Sequence, residues 1–270
     1  MMATRSFEWL DRRVLAAIRF VDAVTGAPAD GRIALAASGV SVARNRSGAV
    51  VVLAAPGLEE HRTSFTAPPP TPAIGSLEIA IDARPASPAY AARRFALRLP
   101  RDPDPDHRDH PDSLFAAAIV ELLPSPAYSP SGQAAALRVS VRRADDQRHV
   151  GGALVRLRPS AGLSPTRALT DAAGEALLVV RGVPLASPGP GATTVPDIAA
   201  ELDVLVDPAL ASFVADDAID AARAQALAEE MGFIDPDDVE TRLAATAPPA
   251  VAVRLASGAT GAVTLHWSPP

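Results

Sequence analysis

The chain has no lysine and no cysteine, and aromatic residues make up only 4% of its 270 residues. All 25 basic residues are arginine. Without lysine there is no Schiff-base amine, no phosphate-loop ammonium and no lysine-assisted serine nucleophile. Without cysteine there are no disulfides, no thiol catalysis and no thiolate-held zinc, although the compartment is left open. With so few aromatics, the core is built from Val, Leu, Ile and Ala, which make up most of the 48% hydrophobic content. A net charge of −6 runs against nucleic-acid binding, which needs a basic surface to displace phosphate counterions. No apolar run approaches the length of a membrane span. The first thirteen residues carry Glu8, Asp11, Arg12 and Arg13 and no apolar stretch of a secretory leader. Cytoplasmic synthesis is therefore expected, with any release occurring as part of an assembled particle.

What the chain does contain is strand and turn punctuation, written twice. Ile18–Val21 leads into the turn Asp22-Ala23-Val24-Thr25-Gly26-Ala27-Pro28, then Gly31 and a strand through Ile33 and Leu35. Leu137–Val141 leads into a polar turn from Arg142 to His149, then Gly152 and a strand through Leu157. Asn45-x-x-Gly48 and Asp171-x-x-Gly174 follow at matching places. In each, Asn or Asp starts a turn by bonding its own backbone, and Gly supplies the positive φ. Period-two alternation predicts strands near 14–21, 32–37, 40–44, 49–54, 62–66, 76–82 and 92–99. In the second half it predicts strands near 137–143, 153–158, 175–181 and 199–206, and again around Val251–Leu255 and Val263–Trp267. Leu114–Leu123 is open between strand and helix. Helical spacing from Asp216 or Asp217 to about Met231 predicts a helix. Asp235-Pro236-Asp237-Asp238 is expected to start a second short helix, with Asp235 as cap and Pro236 at the first helical position.

These elements describe a mainly β protein with two antiparallel β-sandwich domains. Residues 1–13 form an arm and 14–100 the first sandwich. Residues 101–112 form a linker rich in Pro, Asp and His, and 113–270 the second sandwich, with a helical insertion near 212–247. The linker holds the weak metal candidates Asp104, Asp106, His107 and His110. It lacks the glycine and distal glutamate of a calcium loop, and its prolines restrict convergence. No catalytic constellation is evident: of the five histidines, His107 and His110 are in the linker, His149 in a polar turn, and His266 points outward beside Trp267. No cofactor is implied. The residues best suited to anchor a protein partner are Phe7, Trp9, Leu10, Phe213, Phe233 and Trp267, aromatics and Trp above all being favoured at interface hot spots.

Thr170-Asp171-Ala172-Ala173-Gly174-Glu175-Ala176, following Gly152–Leu157, resembles the carboxypeptidase regulatory-like domains, which are transthyretin-like β-sandwiches. The Asp22–Pro28 turn resembles the first turn of the same family. The resemblance implies a seven- or eight-stranded sandwich and says little of function. Pilin and adhesin relatives lock the sandwich with a Lys–Asn bond, which this chain cannot form. Hydroxyisourate hydrolase relatives end in Tyr-Arg-Gly-Ser, whereas this chain ends Leu265-His266-Trp267-Ser268-Pro269-Pro270. In layout, with Leu99-Pro100-Arg101-Asp102 and Leu122-Leu123-Pro124-Ser125-Pro126, the chain is similar to accessory proteins of phage-tail-like contractile injection systems. The resulting expectation is a non-catalytic structural or adaptor protein whose partners are protein subunits of a larger assembly. The alternatives are a carbohydrate- or ligand-binding sandwich and, less favoured, a hydrolase with a site assembled through space.

Overall fold

The structure, a computed structural model, describes residues 13–29, 31–46, 48–64, 69–160, 162–183, 197–215 and 231–269. Strands account for 45% of it and helices for 8%, so the class is mainly β. The arm 1–12, the loop 184–196 and the helix expected up to residue 230 lie outside the described residues.

The first half contributes β1 (Ala16–Asp22), β2 (Ile33–Ala36), β3 (Ser41–Arg44), β4 (Val50–Ala54), β5 (Leu77–Pro85), β6 (Arg93–Leu99) and β7 (Ala118–Leu122). The second contributes β8 (Ala135–Arg143), β9 (His149–Gly151), β10 (Leu154–Pro159), β11 (Thr166–Leu169), β12 (Glu175–Val180), β13 (Asp197–Leu205) and β14 (Ser212–Val214). Helix α1 (Pro236–Leu243) and strands β15 (Val251–Ala256) and β16 (Thr260–Trp267) complete it.

Three local expectations are corrected. Of the strand expected at 62–66, residue 62 closes a 3₁₀ turn at Glu60–Arg62 and residues 63 and 64 are not strand, while residues 65 and 66 lie outside the described residues. His149 is not in the polar turn but begins β9, is buried, and pairs across the ladder with Arg142. Residue 212 opens strand β14 rather than a helical segment, and β14 pairs with β9. The ambiguous 114–123 stretch resolves as strand β7.

The duplication is visible in the sheet order. The sheets are β3-β4-β1-β7, β2-β5-β6, β11-β10-β13-β15, and β12-β8-β9-β14 with β16 paired to β8. The run β4-β1-β7 matches β12-β8-β16, and β2-β5-β6 matches β10-β13-β15. The copies differ elsewhere: β3 joins β4, whereas β11 joins β10, and β9 and β14 extend the sheet of the second copy only. The β8–β16 pairing is parallel, from Ala136↔Thr260 to Arg143↔Trp267.

The turns repeat bond for bond. Asp22 N donates to Ala27 O and Gly26 N to Asp22 O, both at 2.8 Å. In the second copy Arg143 N donates to Arg148 O at 2.8 Å and Gln147 N to Arg143 O at 3.0 Å. Gly26 has φ +69° and Gln147 has φ 60°, so the second copy places a non-glycine residue in the left-handed region. Asn45 N–Ala49 O and Gly48 N–Asn45 O recur as Asp171 N–Glu175 O and Gly174 N–Asp171 O.

The chain divides into two compact units, each discontinuous in sequence. Unit 1 comprises 1–20, 35–81 and 96–120, and unit 2 comprises 21–34, 82–95 and 121–270. Residues 101–112, read from the sequence as a linker, belong to unit 1. Within unit 2, one core gathers Leu137, Val139 and Val141 of β8 with Val155 and Leu157 of β10 and Leu202 and Val204 of β13. Alternate residues of these strands point inward, as period two requires. A second cluster takes the residues of opposite parity, Leu154 and Leu205, together with Leu169, Ile234 and Val239. Helix α1 thus covers that face through Val239, and burying a side chain of this size is worth about 1.5–3 kcal/mol.

Candidate functional site

Asp235 caps α1 as its sequence predicts: the side chain accepts from Asp237 N and Asp238 N, and Pro236 occupies the first turn. The acidic first turn has a further role that local sequence does not show. Arg93, only 1% exposed, donates from Nη2 to Asp237 at 2.6 Å and from Nη1 to Glu121 O at 2.8 Å. Arg167 meets the other oxygen of Asp237 at 2.6 Å and Glu240 at 3.0 Å. Arg156 donates to Glu240 at 3.1 Å and grips the buried Asp203 in a two-pronged pair at 2.8 and 3.0 Å. The ion pairs run Arg93–Asp237–Arg167–Glu240–Arg156–Asp203 and tie α1 to β6, β10, β11 and β13.

This network borders a cleft of about 740 Å³ where Arg156, Arg158, Arg167 and Arg181 meet Glu121 and Glu240. The cleft is rich in ionisable groups, and Arg156, Arg158 and Arg167 are each paired with a carboxylate. Burial works against ionisation of Asp237, but Arg93 and Arg167 outweigh it and hold its pKa below the ordinary carboxylate value. A carboxylate held down in this way is a poor proton donor near neutrality. At Asp235 burial wins over the attraction of Arg93, and its pKa is raised. Its Oδ1 accepts both N–H groups of the helix N-terminus.

A second buried centre was not anticipated. Asp22, 6% exposed, accepts four hydrogen bonds. Oδ1 takes Val24 N at 2.7 Å and Thr25 N at 3.0 Å, and Oδ2 takes the hydroxyls of Tyr90 and Tyr128, both at 2.9 Å. The two rings stand 6.0 Å apart. Burial, then the bond to Asp22 and the charge of Asp22, push the Tyr128 phenol up from 10.0 to about 12. The turn Asp22–Pro28 signalled the backbone half of this cradle. The tyrosines lie 68 and 106 residues away, so no local pattern announced them.

The predicted site residues divide as follows. Phe7, Trp9 and Leu10 lie outside the described residues. Trp267 is 7% exposed and belongs to the unit 2 core, stacked on Phe213 with centroids 5.8 Å apart. It is buried in the fold, on the same face of β16 as Leu265. Phe213 is half-buried and carries the Arg143 guanidinium over its ring at 5.5 Å. Phe233 is half-buried, lies under Arg84 at 4.9 Å, and lines a cavity of about 250 Å³ beside Tyr90 and Met231.

Asp104, Asp106, His107 and His110 are exposed or half-exposed and serve local turns. Asp104 accepts from Asp106 N at 2.9 Å, His107 Nδ1 meets Asp102 at 2.7 Å, and His110 Nδ1 accepts from Asp112 N at 3.2 Å. The four are not brought together: among the described residues no three His, Asp or Glu side chains are spaced to hold a metal ion.

The surface signal that sequence reasoning missed lies in unit 1. Strand β7 ends its sheet, and Ile119 on it is 57% exposed. Phe115, just before it, is 59% exposed. An edge strand flanked by exposed apolar side chains is a template for strand addition or partner docking.

No helix among the described residues is long and apolar enough to cross a membrane. No protein-family model matches the chain, and no significant match exists among curated proteins or solved structures.

Proposed function

We propose that this chain is a non-catalytic structural or adaptor protein, built from two β-sandwich domains of the carboxypeptidase regulatory-like type, that joins a larger protein assembly. The carrying observation is the edge strand β7 with Phe115 and Ile119 exposed beside it. The matched strand orders and repeated turns support the tandem-sandwich reading. The paired cleft carboxylates support the absence of acid–base chemistry. The narrower reading is an accessory subunit of a phage-tail-like contractile particle, resting on the Leu99–Asp102 and Leu122–Pro126 segments.

The test is the size and composition of the native complex in the source cell. A tagged chain is expected to co-purify at fixed stoichiometry with other subunits, in a particle far above its own 27.8 kDa. Ile119→Lys is expected to release it without unfolding it, since the side chain is already in water. A native protein that runs as a free monomer, or an Ile119→Lys variant that assembles normally, sinks the proposal. Sheath, tube or baseplate proteins in the particle would support the narrower reading.

A further inference from the structure

Unit 1 holds a cavity of about 500 Å³ walled by five proline rings, Pro100 and Pro103 among them, with Ile74 at 53% exposure. Two polar side chains reach this largely apolar space, His61 and Arg101. Both are 7% exposed; His61 Nδ1 is buried without a hydrogen-bond partner, and Arg101 has no carboxylate partner among the described residues.

Arg101 donates through Nε to Ser113 O at 3.2 Å. Its Nη2 donates to the carbonyls of Pro111, Ser113 and Ala116. These bonds fix the 111–116 loop, but carbonyl oxygens carry no net charge. No carboxylate among the described residues forms an ion pair with the guanidinium, and Nη1 donates to none of them. Burial lowers the Arg101 pKa, and the field of Asp112 opposes this only in part. The side chain of Asp112 is 51% exposed. An arginine remains charged even so, and a buried cation with no counter-ion is costly. The contrast with Arg93, Arg156 and Arg167 is direct, since each of those faces a carboxylate.

His61 Nδ1 is buried and has no hydrogen-bond partner. Such orphaned ring nitrogens are uncommon in folded proteins and call for an explanation. The imidazole and the guanidinium line the same cavity, so one anionic group placed between them would satisfy both. The walls leave room for an apolar body, and the single uncompensated charge suits a monoanion better than a phosphate dianion.

We infer that this cavity binds a small organic carboxylate with a compact apolar body, its carboxyl group taken by Arg101 Nη1 and the His61 ring. The assignment goes beyond the assembly role proposed above and does not depend on it. The same chemistry is offered by a free acid and by the carboxyl terminus of a peptide.

The test uses the full chain with four probes: phenylacetate, phenylacetamide, inorganic phosphate, and a blocked dipeptide ending in a free phenylalanine carboxylate. Binding is followed by calorimetry and by the ring resonances of His61, assigned with a His61→Gln variant. Phenylacetate is expected to bind and shift the His61 resonances, and the amide to bind about tenfold more weakly, the value of one charge-assisted hydrogen bond. Ile74→Glu puts a negative charge at an exposed site of the cavity wall and is expected to weaken binding by about tenfold through like-charge repulsion, while Ile74→Gln does not. Because Ile74 is exposed, both variants keep the fold, whereas Arg101→Gln also removes the loop clamp. Tighter binding of the dipeptide points to a chain end, and tighter binding of phenylacetate to a free acid. Equal affinity for acid and amide overturns the inference. So does phosphate binding as tightly as phenylacetate, a His61 resonance that does not move, or no binding of either carboxylate at millimolar concentration.

Discussion

Replacing Asp22 by alanine removes the acceptor for four donors at once. Two are backbone N–H groups of the following turn, and two are phenols on segments far along the chain. Hydrogen bonds to a charged acceptor are worth about 1.5–3 kcal/mol each. They are not additive here, because Tyr90 and Tyr128 are half-buried and water can reach some of the freed donors. A total loss of roughly 3 kcal/mol is expected for Asp22→Ala. Asp22→Asn keeps the shape but converts one oxygen to a donor, so roughly half of that loss is expected. Denaturant unfolding reads the stability, and tyrosinate absorbance reads the cradle itself, because the chain has only two tyrosines. The Tyr128 phenol sits at about 12, above the ordinary 10.0, so it must stay protonated to keep its bond. Its contribution is therefore full below pH 10 and is lost as pH rises through about 12. In Asp22→Asn the Tyr128 titration is expected to move back toward 10.0. A double-mutant cycle of Asp22→Asn with Tyr128→Phe should show coupling. A loss below about 1 kcal/mol in Asp22→Ala, with the tyrosine titration unmoved, would refute the reasoning.

Three further outcomes are expected. Gly48→Ala and Gly174→Ala alter equivalent turns, with φ +82° and +70°; the first new Cβ meets nothing within 4 Å, while the second lies 2.7 Å from Val141 O. Gly48→Ala is expected to cost about 1 kcal/mol of backbone strain and Gly174→Ala at least twice that, and equal losses in thermal unfolding would contradict the packing argument. Arg93→Met leaves Asp235 and Asp237 facing a buried apolar chain, so a loss of about 3 kcal/mol is expected by denaturant unfolding. His107 has its pKa raised above 6.5 by its bond to Asp102 and then by the Asp102 charge. Its proton NMR titration should lie above 6.5 and return toward that value in Asp102→Asn, the small stabilisation being present below 6.5 and lost as pH rises through the folded midpoint.

Most strands were legible because a strand with one wet face must alternate, and a turn that reverses it needs a residue tolerant of positive φ. The repeat of Asn45-x-x-Gly48 in Asp171-x-x-Gly174 therefore signalled a real structural equivalence. The cap at Asp235 was legible for the same reason, since capping is satisfied within three residues. The start of the strand expected at 62–66 was misread because a few alternating polar and apolar residues fit a tight turn as well as a strand. His149 was misread because its polar neighbours Arg142–Arg148 suggested a solvated turn, whereas the ladder with β14 draws it inward. Trp267 was offered as a partner anchor on residue type, and residue type does not say which face of β16 is covered.

By itself the sequence determined the chemistry that this protein lacks, the β class and the duplicated turns. Each follows from composition or from bonds closed within a few residues. Only the tertiary structure decided where the charges go. Arg93 finds Asp237 across 144 residues, and Asp22 finds its two tyrosines across 68 and 106. Arg101 takes loop carbonyls and, among the described residues, no carboxylate. The formal charge of a side chain is written in the chain, but its partner is set by which strands pair, and non-local pairing leaves no periodic mark on the sequence.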